Sequence, residues 1–132
     1  MIDPTLYPDR LPFHYTLPIT VQVQVYPPDI DAILETAFED GISYWCDHIN
    51  VPGGLLGKSA SQQLSLGGTL ELVGEDGTSK ELNKENFLKG LSQYLTEAPG
   101  PIDGDILDPG DIDSEAADMI VQYALFGELI YS

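Results

Sequence analysis

The stretch "PIDGDILDPGDID", residues 101–113, places five aspartates in thirteen positions, with two prolines and two glycines between them. Clustered carboxylates of this kind are the raw material of a hard-cation site. A calcium loop of the EF-hand type needs oxygen ligands at its positions 1, 3 and 5, glycine at 6 and glutamate at 12. Counted from Asp103, Asp105 fits, but Leu107, Asp108 and Ser114 occupy the later positions, so the motif fails. A looser trio of Asp103, Asp105 and Asp108 is left as a weak calcium or magnesium candidate, with Asp111 and Asp113 read as turn and cap residues ahead of a helix. Cys46 and His48 are a nucleophile and a base by type, yet residues two apart do not face each other on a helix. His14 would have to approach through the fold. "GKS", residues 57–59, matches the end of a phosphate-binding GxxxxGK[ST] loop, but its first glycine would fall at Pro52, and no strand directly precedes it. Two carboxylates held for acid and base work can be chosen in many ways from 22 acids, so no pair is singled out. No catalytic set emerges, no motif calls for a cofactor, and the chain reads as a non-enzyme.

The elements that would have to position such residues are legible in part. Ile19, Val21, Val23 and Val25 alternate with Thr20, Gln22, Gln24 and Tyr26, which predicts a half-buried strand over 19–26. From Asp29 to Cys46 the period becomes helical, with Ile30, Ile33, Leu34, Ala37, Gly41, Tyr44 and Trp45 on one buried stripe. Gly41 costs about 1 kcal/mol against alanine inside a helix, so a second backbone is expected to cross close to it. Trp45 is expected to be buried against the last helix; the competing reading makes Tyr44 and Trp45 an exposed interaction anchor. Residues 49–58 read as a loop. Ser59 and Gln62 have capping-box spacing for a short helix. Thr69 to Glu81 reads as a hairpin turning at "GEDG". Asn83 caps a helix over 84–96, with Leu82 and Phe87 as its hydrophobic staple. A third helix over 114–126 buries Ala117, Ile120, Val121, Ala124 and Leu125 and ends at Gly127. The expected fold is α+β: a three-stranded antiparallel sheet of 19–26 with the 69–81 hairpin, and three helices packed on it. Its structural positions are Gly41, Trp45, Phe87, Ile120 and Ala124. The four prolines of residues 1–18 predict an arm lying on a single domain spanning 19–132, with Leu6, Tyr7, Leu11, Phe13 and Tyr15 as its anchors.

Charge bounds the partners. Twenty-two acids against five bases give a formal charge of −17, which repels phosphate backbones and anionic membranes. Direct nucleic-acid or membrane binding is therefore not expected, and a basic protein is the partner such a charge selects. One cysteine allows no intrachain disulfide and fits a reducing compartment. The first residues lack the pattern of a signal peptide, and no run approaches the length of about 18 apolar residues needed to span a bilayer. A cytoplasmic location is expected.

The segments "DIDAILETAFEDGISYWCDHI", "GGTLELVGEDG…ELNKENFLKGLSQYL" and "DIDSEAADMIVQYALFGELIY" together resemble a family of small acidic proteins of unknown function in Gram-positive bacteria, their phages and integrated mobile elements. Gly41, Ile42, Tyr44, Trp45 and "IVQYALFGE", residues 120–128, carry the resemblance most specifically. The proline-rich arm is longer than that pattern. The resemblance implies no catalytic or ligand residue. It implies a setting in which a protein binds and modulates a host factor. The sharper form of that expectation is an acidic mimic of nucleic acid occupying a basic groove; the other is a metal- or small-molecule-binding domain using the 103–113 loop or the surroundings of Tyr44 and Trp45.

Overall fold

The computed structural model describes residues 14–132. It is an α+β fold in which three helices pack on a three-stranded antiparallel sheet. The first twelve residues of the expected arm, and Phe13, lie outside the described residues; Tyr15 is exposed.

Helix α1, Pro27–Thr36, begins at a proline, where the missing N–H is no loss. The Tyr26 backbone N–H donates to Asp29 Oδ2 at 2.8 Å, closing its first turn. The helix does not run on to Cys46 as its apolar stripe predicts. It widens over Ala37–Gly41 into one π-type turn, with the Ile42 N–H donating to Ala37 O at 3.0 Å, and stops. Gly41 lies directly against helix α3, Ser114–Phe126: a Cβ there would lie 2.6 Å from Ser114 O. Ile42 and Trp45 keep the apolar register because the turn beyond the helix folds back onto the same core.

That turn delivers strand β1, Cys46–Asn50, which pairs antiparallel with β2, Leu70–Gly74; β2 pairs in turn with β3, Ser79–Leu82. The 19–26 segment, expected as the third strand, is not in this sheet. Among the described residues its only bridge is a parallel one from Gln24 to Ile106, with the Gln24 N–H donating to Asp105 O at 2.7 Å. Its place is taken by a strand whose register slips between Cys46 and His48 and whose Asp47 and His48 face solvent. Such a bulge erases the period-two signature that marks a strand in a sequence. The β2–β3 turn is closed by Asp76, whose Oδ1 accepts from the Thr78 N–H at 2.9 Å, and by Gly77 at a φ of 85°; those hydrogen bonds also hold the Asp76 carboxyl below its ordinary pKa.

Helix α2, Lys84–Glu97, opens on a reciprocal cap: Asn83 Oδ1 accepts from the Asn86 N–H and Asn86 Oδ1 from the Asn83 N–H, both at 2.9 Å. Leu82 and Phe87 are both fully buried beside it. Helix α3 is capped by Asp113, whose Oδ1 accepts from the Ala116 N–H at 2.8 Å, and ends on Gly127 at a φ of 73°. α2 and α3 cross where Gly90 meets Ala124, an added Cβ lying 2.5 Å from Ala124 N. Ala124 therefore serves the crossing with α2, while Gly41, at the end of the π-type turn, meets the first turns of α3. Ile33, Leu34, Leu64, Leu70, Leu72, Leu82, Phe87, Ile120 and Val121 fill the core between layers. The short helix expected from Ser59 is a single 3₁₀ turn, Ala60–Gln62, because Gln62 turns its side chain back to Lys58 and leaves Ser59 without a capping bond.

Candidate functional site

The aspartate-rich stretch is resolved into turns and caps. Asp103 and Asp105 flank Gly104 in a small hairpin of β4, Ile102–Asp103, and β5, Ile106–Leu107. Asp108 Oδ1 accepts from the Gly110 N–H at 2.9 Å, and Asp113 caps α3. Among the described residues no three His, Cys, Asp or Glu side chains converge on a point where a cation could sit. Cys46 is buried, which pushes its thiol pKa up, and its Sγ contacts the backbone carbonyl of His48, not the ring. The His48 ring is on the surface beside Asp47, at 2.8 Å. Neither arrangement favours a thiolate nucleophile.

The glycine-rich loop at 52–58 is occupied by its own chain. Gln63, 1% exposed, accepts from the Leu56 N–H through Oε1 and reaches Gly54 O through Nε2, while Gln62 Oε1 accepts from the Lys58 N–H. With the Gly54 N–H bound to Val51 O, three of the loop's backbone donors are already taken by the chain itself.

Tyr44 and Trp45 meet a partner that the sequence gives little reason to single out, Asp118 on α3. Trp45, 4% exposed, donates its indole N–H to Asp118 Oδ1 at 2.8 Å; Tyr44 donates its hydroxyl to Oδ2 at 2.6 Å; Gln122 Nε2 donates to Oδ1 at 2.9 Å. A carboxyl group 6% exposed is thus satisfied by three donors, as a buried acid must be. Burial, followed by the hydrogen bond to Asp118 and its negative charge, pushes the Tyr44 phenol up to about 12. Gln122, itself buried, accepts the N–H groups of Ile130 and Tyr131 at 2.9 Å each and donates to Tyr131 O at 3.2 Å. The Tyr131 ring then stacks on Trp45 with centroids 5.0 Å apart, and Phe126 closes edge-on at 5.9 Å to both. Trp45 is therefore covered by residues of its own chain. The signal available in the sequence was spacing: Asp118 and Gln122 lie four apart among Ala117, Ile120 and Val121, on the face that a core helix buries.

The remaining candidate surface is defined by what it lacks. None of the 22 acids falls within residues 11–28 or 49–70. Within the first, residues 14–23 belong to no helix or strand, with Leu17 81%, Ile19 76% and Val21 54% exposed. From Thr16 to Val23 no backbone N–H or carbonyl meets a partner among the described residues. Ile19, Val21, Val23 and Val25 stand over Leu88, Leu91 and Leu95 across an open groove of about 620 Å³. Within the second, Leu55 and Leu56 are exposed on the glutamine-braced loop, and Leu66 in the turn that follows Gln63. A run of sequence free of acids in so acidic a chain is the signal that marks these surfaces.

Fold and surface together define a small α+β domain with two acid-free runs of sequence and an uncharged segment, residues 16–23, whose backbone is unpaired among the described residues. No family model matches the chain, and neither a curated protein nor a solved structure is significantly similar to it. Among the described residues no helix is long and apolar enough to cross a membrane.

Proposed function

We propose that this domain acts by binding another protein, whose extended segment pairs with residues 16–23. The observation that carries the reading is the combination of β-branched alternation, exposed apolar side chains and unpartnered backbone in one uncharged segment. Strand addition uses such an edge: main-chain hydrogen bonds supply affinity and alternate side chains supply selectivity. The neighbouring hairpin presents Asp103 and Asp105 to solvent beside Gln24, and the whole chain carries −17, so the partner strand is apolar on one face and flanked by lysine or arginine. The resemblance to small acidic proteins of mobile elements makes a host factor the natural source of that strand.

The test is capture from a bacterial lysate on the unaltered chain and on a Val21→Pro chain. Proline removes a backbone donor and is excluded from paired strand interiors, and Val21 is exposed, so the fold is retained. The expected result is a basic protein held by the unaltered chain, released as salt rises and absent from the Val21→Pro chain. The same proteins held equally by both would overturn the reading.

A further inference from the structure

A second surface, independent of residues 16–23, carries its own inference. The segment that follows α3 is attached to the domain in an unusual way. Beyond Gly127 it makes no backbone-to-backbone hydrogen bond among the described residues. Ile130 and Tyr131 are held through the side-chain amide of Gln122, which pairs with both the N–H and the carbonyl of Tyr131 as a neighbouring strand would. The one deep contact is the Tyr131 ring, between Trp45 and Phe126. Leu129 and Ile130 are exposed.

Two of the groups that hold the segment, Trp45 and Gln122, have a second anchor. Asp118 accepts from both Trp45 Nε1 and Gln122 Nε2, so the indole and the amide are each tied to a buried carboxyl that, among the described residues, makes no hydrogen bond to the segment. Two of the three receiving groups thus have an anchor besides their occupant, and partial preorganisation of this kind favours recognition. It reads a backbone without regard to side chain and then an aromatic ring one residue beyond an exposed aliphatic. A further cavity of about 260 Å³, lined by Leu72, Lys80 and Leu125 among others, lies beside the ring.

The geometry points to a peptide-binding site occupied in cis: Gln122, Trp45 and Phe126 take an extended aliphatic–aromatic segment of a partner protein, and Ile130–Tyr131 is the resident occupant that such a segment displaces. Tethering gives the resident an effective concentration in the millimolar range, so an external segment competes at a disadvantage until the resident is weakened.

The experiment uses the full chain with the Tyr131→Ala substitution and, as probe, a synthetic peptide of residues 127–132, Gly-Glu-Leu-Ile-Tyr-Ser. Trp45 is the only tryptophan, so its indole N–H resonance and its fluorescence report this site alone. The expected result is a saturable shift with the Tyr131→Ala chain, at least about tenfold weaker with the unaltered chain, and lost when alanine replaces tyrosine in the peptide. In the unaltered chain, the Ile130 and Tyr131 amides are expected to exchange with solvent at least about a hundredfold faster than those of Ile120 and Val121, as a separately opening segment does. A folded Tyr131→Ala chain that gives no saturable shift overturns the inference. So does a Tyr131→Ala chain that fails to fold, or exchange of all four amides in step, since either makes the segment part of the core.

Discussion

Removing the Asp118 carboxyl tests whether the polar cluster holds the aromatic end of the domain together. In Asp118→Ala three donors lose their acceptor, with unequal consequences. Tyr44 is 45% exposed and its hydroxyl turns to water. Gln122 Nε2 keeps Tyr131 O at 3.2 Å. The indole N–H of Trp45, 4% exposed, is shielded from solvent and has no second acceptor among the described residues. Leaving that donor unsatisfied costs about 1–3 kcal/mol; the lost charge-assisted bonds add to this, and relief of the buried carboxyl's desolvation offsets part of it. The net expectation is a loss of about 2–4 kcal/mol, against about 1 kcal/mol for Asp118→Asn, which keeps one carbonyl oxygen for Trp45 and Gln122. With an unfolding entropy of about 2.1 cal/mol/K per residue, a 3 kcal/mol loss lowers Tm by roughly 10 °C. Urea unfolding followed by Trp45 fluorescence measures both variants. If Asp118→Ala lies within about 0.5 kcal/mol of the unaltered chain, or Asp118→Asn is the more destabilised of the two, the cluster is not what secures Trp45 and the reasoning fails.

Two further perturbations address packing and pH. Gly41→Ala and Gly90→Ala each place a Cβ about 2.6 Å or less from backbone atoms of α3, so overpacking of about 1–3 kcal/mol or more outweighs the roughly 1 kcal/mol gained in helix propensity; Gly100→Ala, with nothing within 4 Å, is the control and should be neutral in thermal melts. Tyr44 has its folded pKa raised from 10.0 to about 12. The neutral phenol is the form the fold favours, so its contribution is complete below pH 10 and fades as pH rises from 10 through about 12. The unaltered chain should therefore lose stability relative to Tyr44→Phe across that window, read as converging melting temperatures; parallel curves would contradict it.

The local devices of this protein are written in the sequence because their causes are local. Asn83 with Asn86, Asp113 before α3, Gly127 after it, and Asp76 with Gly77 in the hairpin each satisfy backbone groups within a few residues, and each forms as its residue types dictate. The α+β class follows from the same periodicities. Which segments pair was decided only in three dimensions. Residues 19–26 carry the alternation of a strand yet stay outside the sheet, because alternation specifies a face and not a neighbour. Cys46–Asn50 carries no alternation yet pairs with β2, because the π-type turn and Gly41 end α1 early and the bulge after Cys46 absorbs the missing period. The same ending brings Tyr44 and Trp45 onto Asp118, more than seventy residues away in sequence. A carboxyl on a helix is ordinarily a solvated group; only the tertiary arrangement, by burying it against three donors, makes Asp118 the anchor of Trp45 and Gln122 and, through them, of the segment that closes the domain.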